Sequence, residues 1–139
     1  MSKSTIFSDA IHILVYITSE EQHELSSKAI ANSLNTNPAL VRKIMKLLRE
    51  AKIIQTVQGK SEPKLCMTTK ELTLKEIYLA VCTNPLLKPD YNTANFCPIG
   101  KNIVPVLETK FAKVHQSMLL ELSQISLQEV IDDIDAIMI

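Results

Sequence analysis

Four cations in one short segment, Arg42, Lys43, Lys46 and Arg49, carry the chemistry this sequence displays most openly. A guanidinium offers parallel donors that match the acceptor pair on the major-groove edge of guanine, whereas an ammonium is a point charge suited to phosphate. Spacings of three and four place such side chains on one side of a helix. Asn37, Ala39 and Leu40 open the same segment, and the first turns of a helix laid in a groove are the part that meets base edges. Arg42 therefore reads either as a bidentate contact to guanine or as a grip on phosphate, with Lys43 beside it. Lys28, Lys46 and Lys60 read as phosphate anchors or as exposed solubilising charge.

Such groups work only if rigid elements hold them. Ser26 or Ser27 suits a helix N-terminus, and Ala29, Ile30 and Leu34 follow at helical spacing, predicting a helix over 28–34. Asn35, Thr36 and Asn37 form a polar turn. Asn37 is a suitable cap, and Pro38 falls at the first helical position, where its missing amide proton costs nothing. In the helix that starts there, Val41, Ile44, Leu48 and Ala51 share a stripe while the cations occupy the remaining surface. Two helices joined in this way form a helix-turn-helix, which points to DNA.

The rest of the chain frames that unit. Residues 5–18 read as an apolar helix carrying Ile6, Ala10, Ile13, Leu14 and Ile17. Residues 53–57 and 64–68 are short strand candidates joined by a polar turn, the pattern of a wing. Thr73 and Glu76 make a capping box for a helix reaching about residue 82. Residues 84–101, with Pro85, Pro89 and Pro98, read as a long loop holding Cys97. A long helix is expected from about 102 to 123, with Pro105 in its first turn and Val104, Leu107, Phe111, Val114, Met118 and Leu122 at spacings of three and four. Such a stripe either pairs with a second copy or folds back on its own domain. A two-fold dimer would set two recognition helices about 34 to 36 Å apart, one turn of DNA. Ser126 and Glu129 form a second capping box, and the last helix, with Val130, Ile131, Ile134 and Ile137, is expected to pack on the long one. The expected fold is mainly α with a small β-wing: a winged helix-turn-helix domain at 1–83, a loop at 84–101 and dimerisation helices at 102–139.

Several stretches together resemble the Rrf2 family of bacterial transcription regulators. They are Asn37-Pro38-Ala39-Leu40-Val41-Arg42-Lys43-Ile44, Leu48-Arg49-Glu50-Ala51-Lys52-Ile53-Ile54 and Leu74-Lys75-Glu76-Ile77-Tyr78, with Ala10-Ile11-His12-Ile13-Leu14-Val15-Tyr16-Ile17 before them and Cys97-Pro98-Ile99-Gly100 after. The resemblance implies a winged-helix homodimer that binds a palindromic operator, most often as a repressor. Family wings usually read Arg-Gly-x-x-Gly-Gly-Tyr, whereas Gln58-Gly59-Lys60-Ser61-Glu62-Pro63-Lys64 keeps only the first glycine. Relatives also tend to carry glycine where Lys52 stands; a left-handed cap kept there would make lysine cost roughly 1 kcal/mol. Cluster-binding relatives place three cysteines in the loop before the dimer helix, and this chain has one, so it resembles the branch without an iron-sulfur cluster and no cofactor is expected. His12 matches a position that rare relatives use as a ligand, although a lone histidine on an apolar helix more often packs or meets phosphate.

Charge distribution agrees with a DNA reader independently of the resemblance. Fifteen basic and fifteen acidic residues cancel over the 139-residue chain. Between Ser26 and Lys70, however, nine cations face two acids, a net +7, while from Ser117 onward five acids stand without a cation. One end attracts phosphate and the other repels it. No apolar run is long enough to cross a membrane and the start lacks the core of a signal peptide, so a cytoplasmic protein with reduced thiols is expected. Cys66, Cys82 and Cys97 have no disulfide-like spacing. Cys97 reads as a redox or electrophile sensor or as a structural thiol, and Cys66 and Cys82 as structural. A small apolar effector between loop and dimer helices is a further option. Catalysis is not expected, because no nucleophile has a base and no phosphate-cradling or metal-binding spacing occurs. The rival reading is a winged-helix adaptor that binds a protein instead of DNA.

Overall fold

The computed structural model describes residues 5–19, 24–56 and 62–138. Six helices and one two-stranded sheet follow in the order α1 (Ile6–Thr18), α2 (Ser27–Leu34), α3 (Pro38–Glu50), β1 (Ile54–Thr56), β2 (Pro63–Leu65), α4 (Leu74–Val81), α5 (Pro98–Leu122) and α6 (Leu127–Met138). This is the expected mainly helical fold with a small wing.

The core forms where three amphipathic stripes converge. Ala10, Ile13, Leu14 and Ile17 of α1 meet Ile30 and Ala31 of α2 and Val41, Ile44, Met45 and Leu48 of α3, and Ile77 and Val81 of α4 close the cluster. Apolar residues at three- and four-residue spacing occupy a single side of each helix, so burying that side leaves the polar side in water. Phe7 and Tyr78 fix α1 against α4 edge to face, with ring centroids 5.2 Å apart. Ala51 is not part of the α3 stripe: it caps the helix and is exposed, and Met45 takes its place in the core.

The wing strands are antiparallel, with Ile54 opposite Leu65, Gln55 opposite Lys64 and Thr56 opposite Pro63. Strand β1 starts one residue later than expected, and β2 ends at Leu65 where the expected run continued to 68. The wing tip, including Gly59 and Lys60, lies outside the described residues.

The carboxyl-terminal third departs most from expectation. Helix α5 begins at Pro98, not near residue 102, so Pro105 sits in the helix interior instead of its first turn. The loop before it is correspondingly shorter and folds against the first turn, where Thr93 Oγ1 donates to the Gly100 carbonyl at 2.6 Å. A Cβ at Gly100 would come within 2.7 Å of the Ala94 carbonyl oxygen, so this close approach requires glycine. Helix α6 returns to the body and packs on α1, in place of the expected packing on α5. Leu127 is fully buried in the common core. Backbone bonds from Leu74 N–H to the Ile125 carbonyl (2.9 Å), from Leu127 N–H to Leu72 (2.8 Å) and from Gln128 N–H to Thr69 (2.9 Å) sew the α5–α6 corner to the segment around α4.

Candidate nucleic-acid interface

The local sequence explains how α3 is held. Ser26 Oγ accepts from the Ala29 amide at 3.1 Å and opens α2. That helix closes on Asn35 in the left-handed region (φ 54°), with Thr36 N–H reaching the Ala31 carbonyl at 3.0 Å. Asparagine tolerates this backbone better than other residues with a β-carbon, which allows so short a turn. Two residues later Asn37 Oδ1 accepts from the Leu40 amide at 2.9 Å and Pro38 takes the first helical position. Helix α3 ends by the same device. Ile53 N–H bonds to the Leu48 carbonyl at 3.0 Å and Lys52 N–H to Arg49 at 2.9 Å, with Lys52 itself left-handed at φ 61°. The expected left-handed cap is therefore present without its glycine.

Between these caps α3 divides into two sides. Val41, Ile44, Met45 and Leu48 are buried; Ala39, Arg42, Lys43, Lys46 and Arg49 are exposed. None of the four cationic side chains makes a hydrogen bond or ion pair with another described residue, so their charge is uncompensated and available to phosphate or base edges. Lys28 is exposed at the start of α2 and adds to the same electropositive region of the chain. Asn37 spends its carbonyl oxygen on the cap and retains its amide as a donor. Leu40 is half-buried against the core, so its side chain serves packing as well as the leading turn.

Matching residues 3–133, the family profile described as "Rrf2: Iron-dependent Transcriptional regulator" covers nearly the whole chain. The chain belongs to the Rrf2 family. YwnA of Bacillus subtilis (strain 168), named as an HTH-type transcriptional regulator, is 36% identical over 124 residues, spanning 88% of this chain and 92% of that protein. A crystal structure described as a DNA-binding protein superposes with a TM-score of 0.73 at 35% identity, covering 90% of this chain and 97% of the other. A transcriptional regulator structure from Lactobacillus plantarum gives a TM-score of 0.76 at 21% identity, covering 94% and 90%, and supports the fold alone. The protein is thus a DNA-binding transcriptional regulator with a winged-helix fold, and its family is one of regulators, not enzymes.

The iron of the family description finds no ligand set among the described residues of this Rrf2 protein. Among the described residues no three His, Cys, Asp or Glu side chains come together as a ligand set. Cys66 follows the second wing strand, Cys82 ends α4 and Cys97 precedes α5. His12 is instead bonded across helices, its Nε2 lying 2.9 Å from Ser33 Oγ, which ties α1 to α2. Burial pushes the Cys82 thiol pKa up. The Cys97 thiol is held below its ordinary value, first by the Gly100 backbone amide and then by that of Ile99. Both amides belong to the opening turn of α5, whose unpaired N–H groups favour a thiolate.

Helix α5 distributes the expected dimer residues unequally. Val104, Leu107, Phe111, Met118 and Leu122 are half-buried, and Val114 is 53% exposed. His115 lies against Tyr78 and Leu122 packs on the core, so the last turns of this stripe serve the helix's own domain. A second stripe, Ile99, Ile103 and Val106, is open to solvent, and Ile99 is 72% exposed. No described residue of this 25-residue helix is fully buried. The open stripe is legible once Cys97-Pro98 is read as a helix start like Asn37-Pro38. Cysteine is a poor cap, which hid the parallel.

No helix among the described residues is long and apolar enough to cross a membrane.

Proposed function

We propose that this Rrf2 regulator acts in the cytoplasm as a homodimeric repressor that occupies a palindromic operator. The observation that carries the reading is the uncompensated basic side of α3, capped at both ends and backed by the core. In each protomer Ala39, Arg42 and Lys43 would meet base edges, while Lys28, Lys46 and Lys60 would hold phosphates. Dimerisation through α5, with Val104, Leu107, Phe111, Val114 and Met118 joined by Ile99, Ile103 and Val106, would give the two-fold symmetry that a palindrome matches. The test is a salt titration of binding to DNA from the protein's own upstream region against scrambled DNA of equal length. Preference for upstream DNA that persists as salt rises, with a two-fold symmetric footprint, is the expected result. Weak binding to both that vanishes with salt points to a protein adaptor or a distant operator.

The same reading gives Cys97 the sensory role, with an oxidant or electrophile as signal. What supports it is a thiol held below its ordinary pKa by the Gly100 and Ile99 amides, at the point where the loop meets α5. Iodoacetamide should label Cys97 at lower pH than Cys82, whose thiol is pushed up, as read by mass spectrometry. Unchanged operator affinity after labelling of Cys97 would remove the sensory role.

A further inference from the structure

The hydrogen-bonding side chains on the leading turns of α3 are of one kind. Arg42, Lys43 and Lys46 are exposed and carry donors only. Asn37 is exposed too and owns one side-chain oxygen, but that oxygen already accepts from the Leu40 amide at 2.9 Å. Its amide nitrogen has no described partner, so what the capped Asn37 has left to offer is again a donor. Ala39, exposed just after the cap, adds a methyl group and no polar side-chain atom. Helical spacing puts Ala39, Arg42, Lys43 and Lys46 on one arc, away from the buried Val41, Ile44, Met45 and Leu48. Glu50, the acid of α3, lies at the far end of the helix, roughly 16 Å beyond Ala39.

A surface without acceptors reads a restricted set of bases. In the major groove guanine shows two acceptors, O6 and N7, and thymine shows O4 beside its methyl group; cytosine shows the N4 amino donor, and adenine combines its N7 acceptor with the N6 amino donor. Asparagine reads adenine by accepting from N6 while donating to N7, and this asparagine has given its acceptor to the cap. Freeing the oxygen would leave the Leu40 amide unpaired at the start of the helix. Guanine is the base that such a surface satisfies completely, whereas an adenine or cytosine amino group set against it stays unpaired.

We propose that α3 is a guanine reader: in each half-site a guanine presents O6 and N7 to the Arg42 guanidinium, and Asn37 supplies a donor in place of the adenine contact its residue type suggests. The inference rests on the operator reading and names the base the operator must carry. Lys43 donates to acceptors on the neighbouring base pair, and the Ala39 methyl suits a thymine methyl.

Selection of duplexes from a random library by the full-length protein supplies the site for the test. The recovered sequences should share a guanine at one position of both half-sites. In the tightest duplex, 7-deazaguanine at that position pairs normally but lacks N7, and it should weaken binding by about tenfold in fluorescence anisotropy. Inosine there keeps O6 and N7 and should bind within about twofold of guanine. Arg42→Ala should lower affinity for the parent duplex and abolish the 7-deazaguanine penalty, which assigns the contact to Arg42. Asn37→Ser keeps a capping oxygen without the amide and should leave the preference at every adenine of the site unchanged. A selected site without the shared guanine, a 7-deazaguanine duplex bound as well as the parent, a penalty that survives Arg42→Ala or an adenine preference lost in Asn37→Ser overturns the guanine reader and leaves the operator reading standing. A library in which no sequence is enriched overturns the operator reading itself, and the guanine reader with it.

Discussion

Helices α3 and α5 both open on a proline at the first position and both carry apolar residues at helical spacing, yet the core absorbs four residues of α3 and none of α5 completely. In α3 the division into a packed and a charged side is complete within one chain, so its burial is self-contained and its remaining side is free for DNA. In α5 the apolar surface is wider than the domain beneath it can cover, because His115 and Leu122 use one edge and Ile99, Ile103 and Val106 face water. A large exposed apolar surface on a small protein marks an interaction site. One helix satisfies its apolar side within the chain; the other leaves part of its apolar surface open.

The largest effect should come from breaking the packed side of α3. Ile44 is fully buried, and Ile44→Ala removes its methyl and methylene groups and leaves a cavity, for an expected loss of about 2 to 5 kcal/mol in urea unfolding. Val106→Ala removes comparable groups from a side chain 54% exposed in the single chain. At concentrations where the protein is monomeric it should change stability by no more than about 0.5 kcal/mol, while weakening self-association measured by sedimentation. Equal destabilisation of the monomer by both changes would erase the distinction between the helices.

Arg42→Ala acts on the free side of α3 and should leave unfolding nearly unchanged, since the side chain has no described partner. If Arg42 reads a base, affinity for the operator falls by roughly 1 to 3 kcal/mol and preference over scrambled DNA falls with it. Equal losses on both DNAs in fluorescence anisotropy would make it a phosphate grip.

These contrasts also explain what was legible in the sequence. The helix-turn-helix was readable to within a residue because each boundary has a local chemical cause, such as Ser26, Asn37 or Pro38. The α4 start was equally plain, with Thr73 N–H donating to Glu76 Oε1 at 3.2 Å. The start of α5 was misplaced because Pro85, Pro89 and Pro98 look alike in sequence, although only Pro98 begins a helix. The placement of α6 could not be read from its own stripe. Val130, Ile131 and Ile134 would suit α1 or α5 equally, and the choice is made by nonlocal bonds such as Leu127 N–H to Leu72. Among the site residues, the exposure of Arg42, Lys43 and Lys46 followed from periodicity, while the His12–Ser33 bond joins positions 21 residues apart and left no local trace.

The smallest effect concerns the junction between α3 and β1. Lys52 holds φ at 61°, where a β-carbon crowds the following carbonyl, and the helix-closing bonds of Lys52 and Ile53 depend on that conformation. Lys52→Gly removes the crowding but adds freedom to the unfolded chain, so the two terms partly cancel and a net gain of about 0.5 to 1 kcal/mol is expected. Denaturant melts should show a higher midpoint with an unchanged slope. DNA binding separates stability from charge at this position, because the exposed Lys52 ammonium is also lost. A more stable variant with a salt slope lower by about one would give Lys52 a phosphate contact as well as its strained cap; a more stable variant with an unchanged slope would leave the cap as its whole contribution.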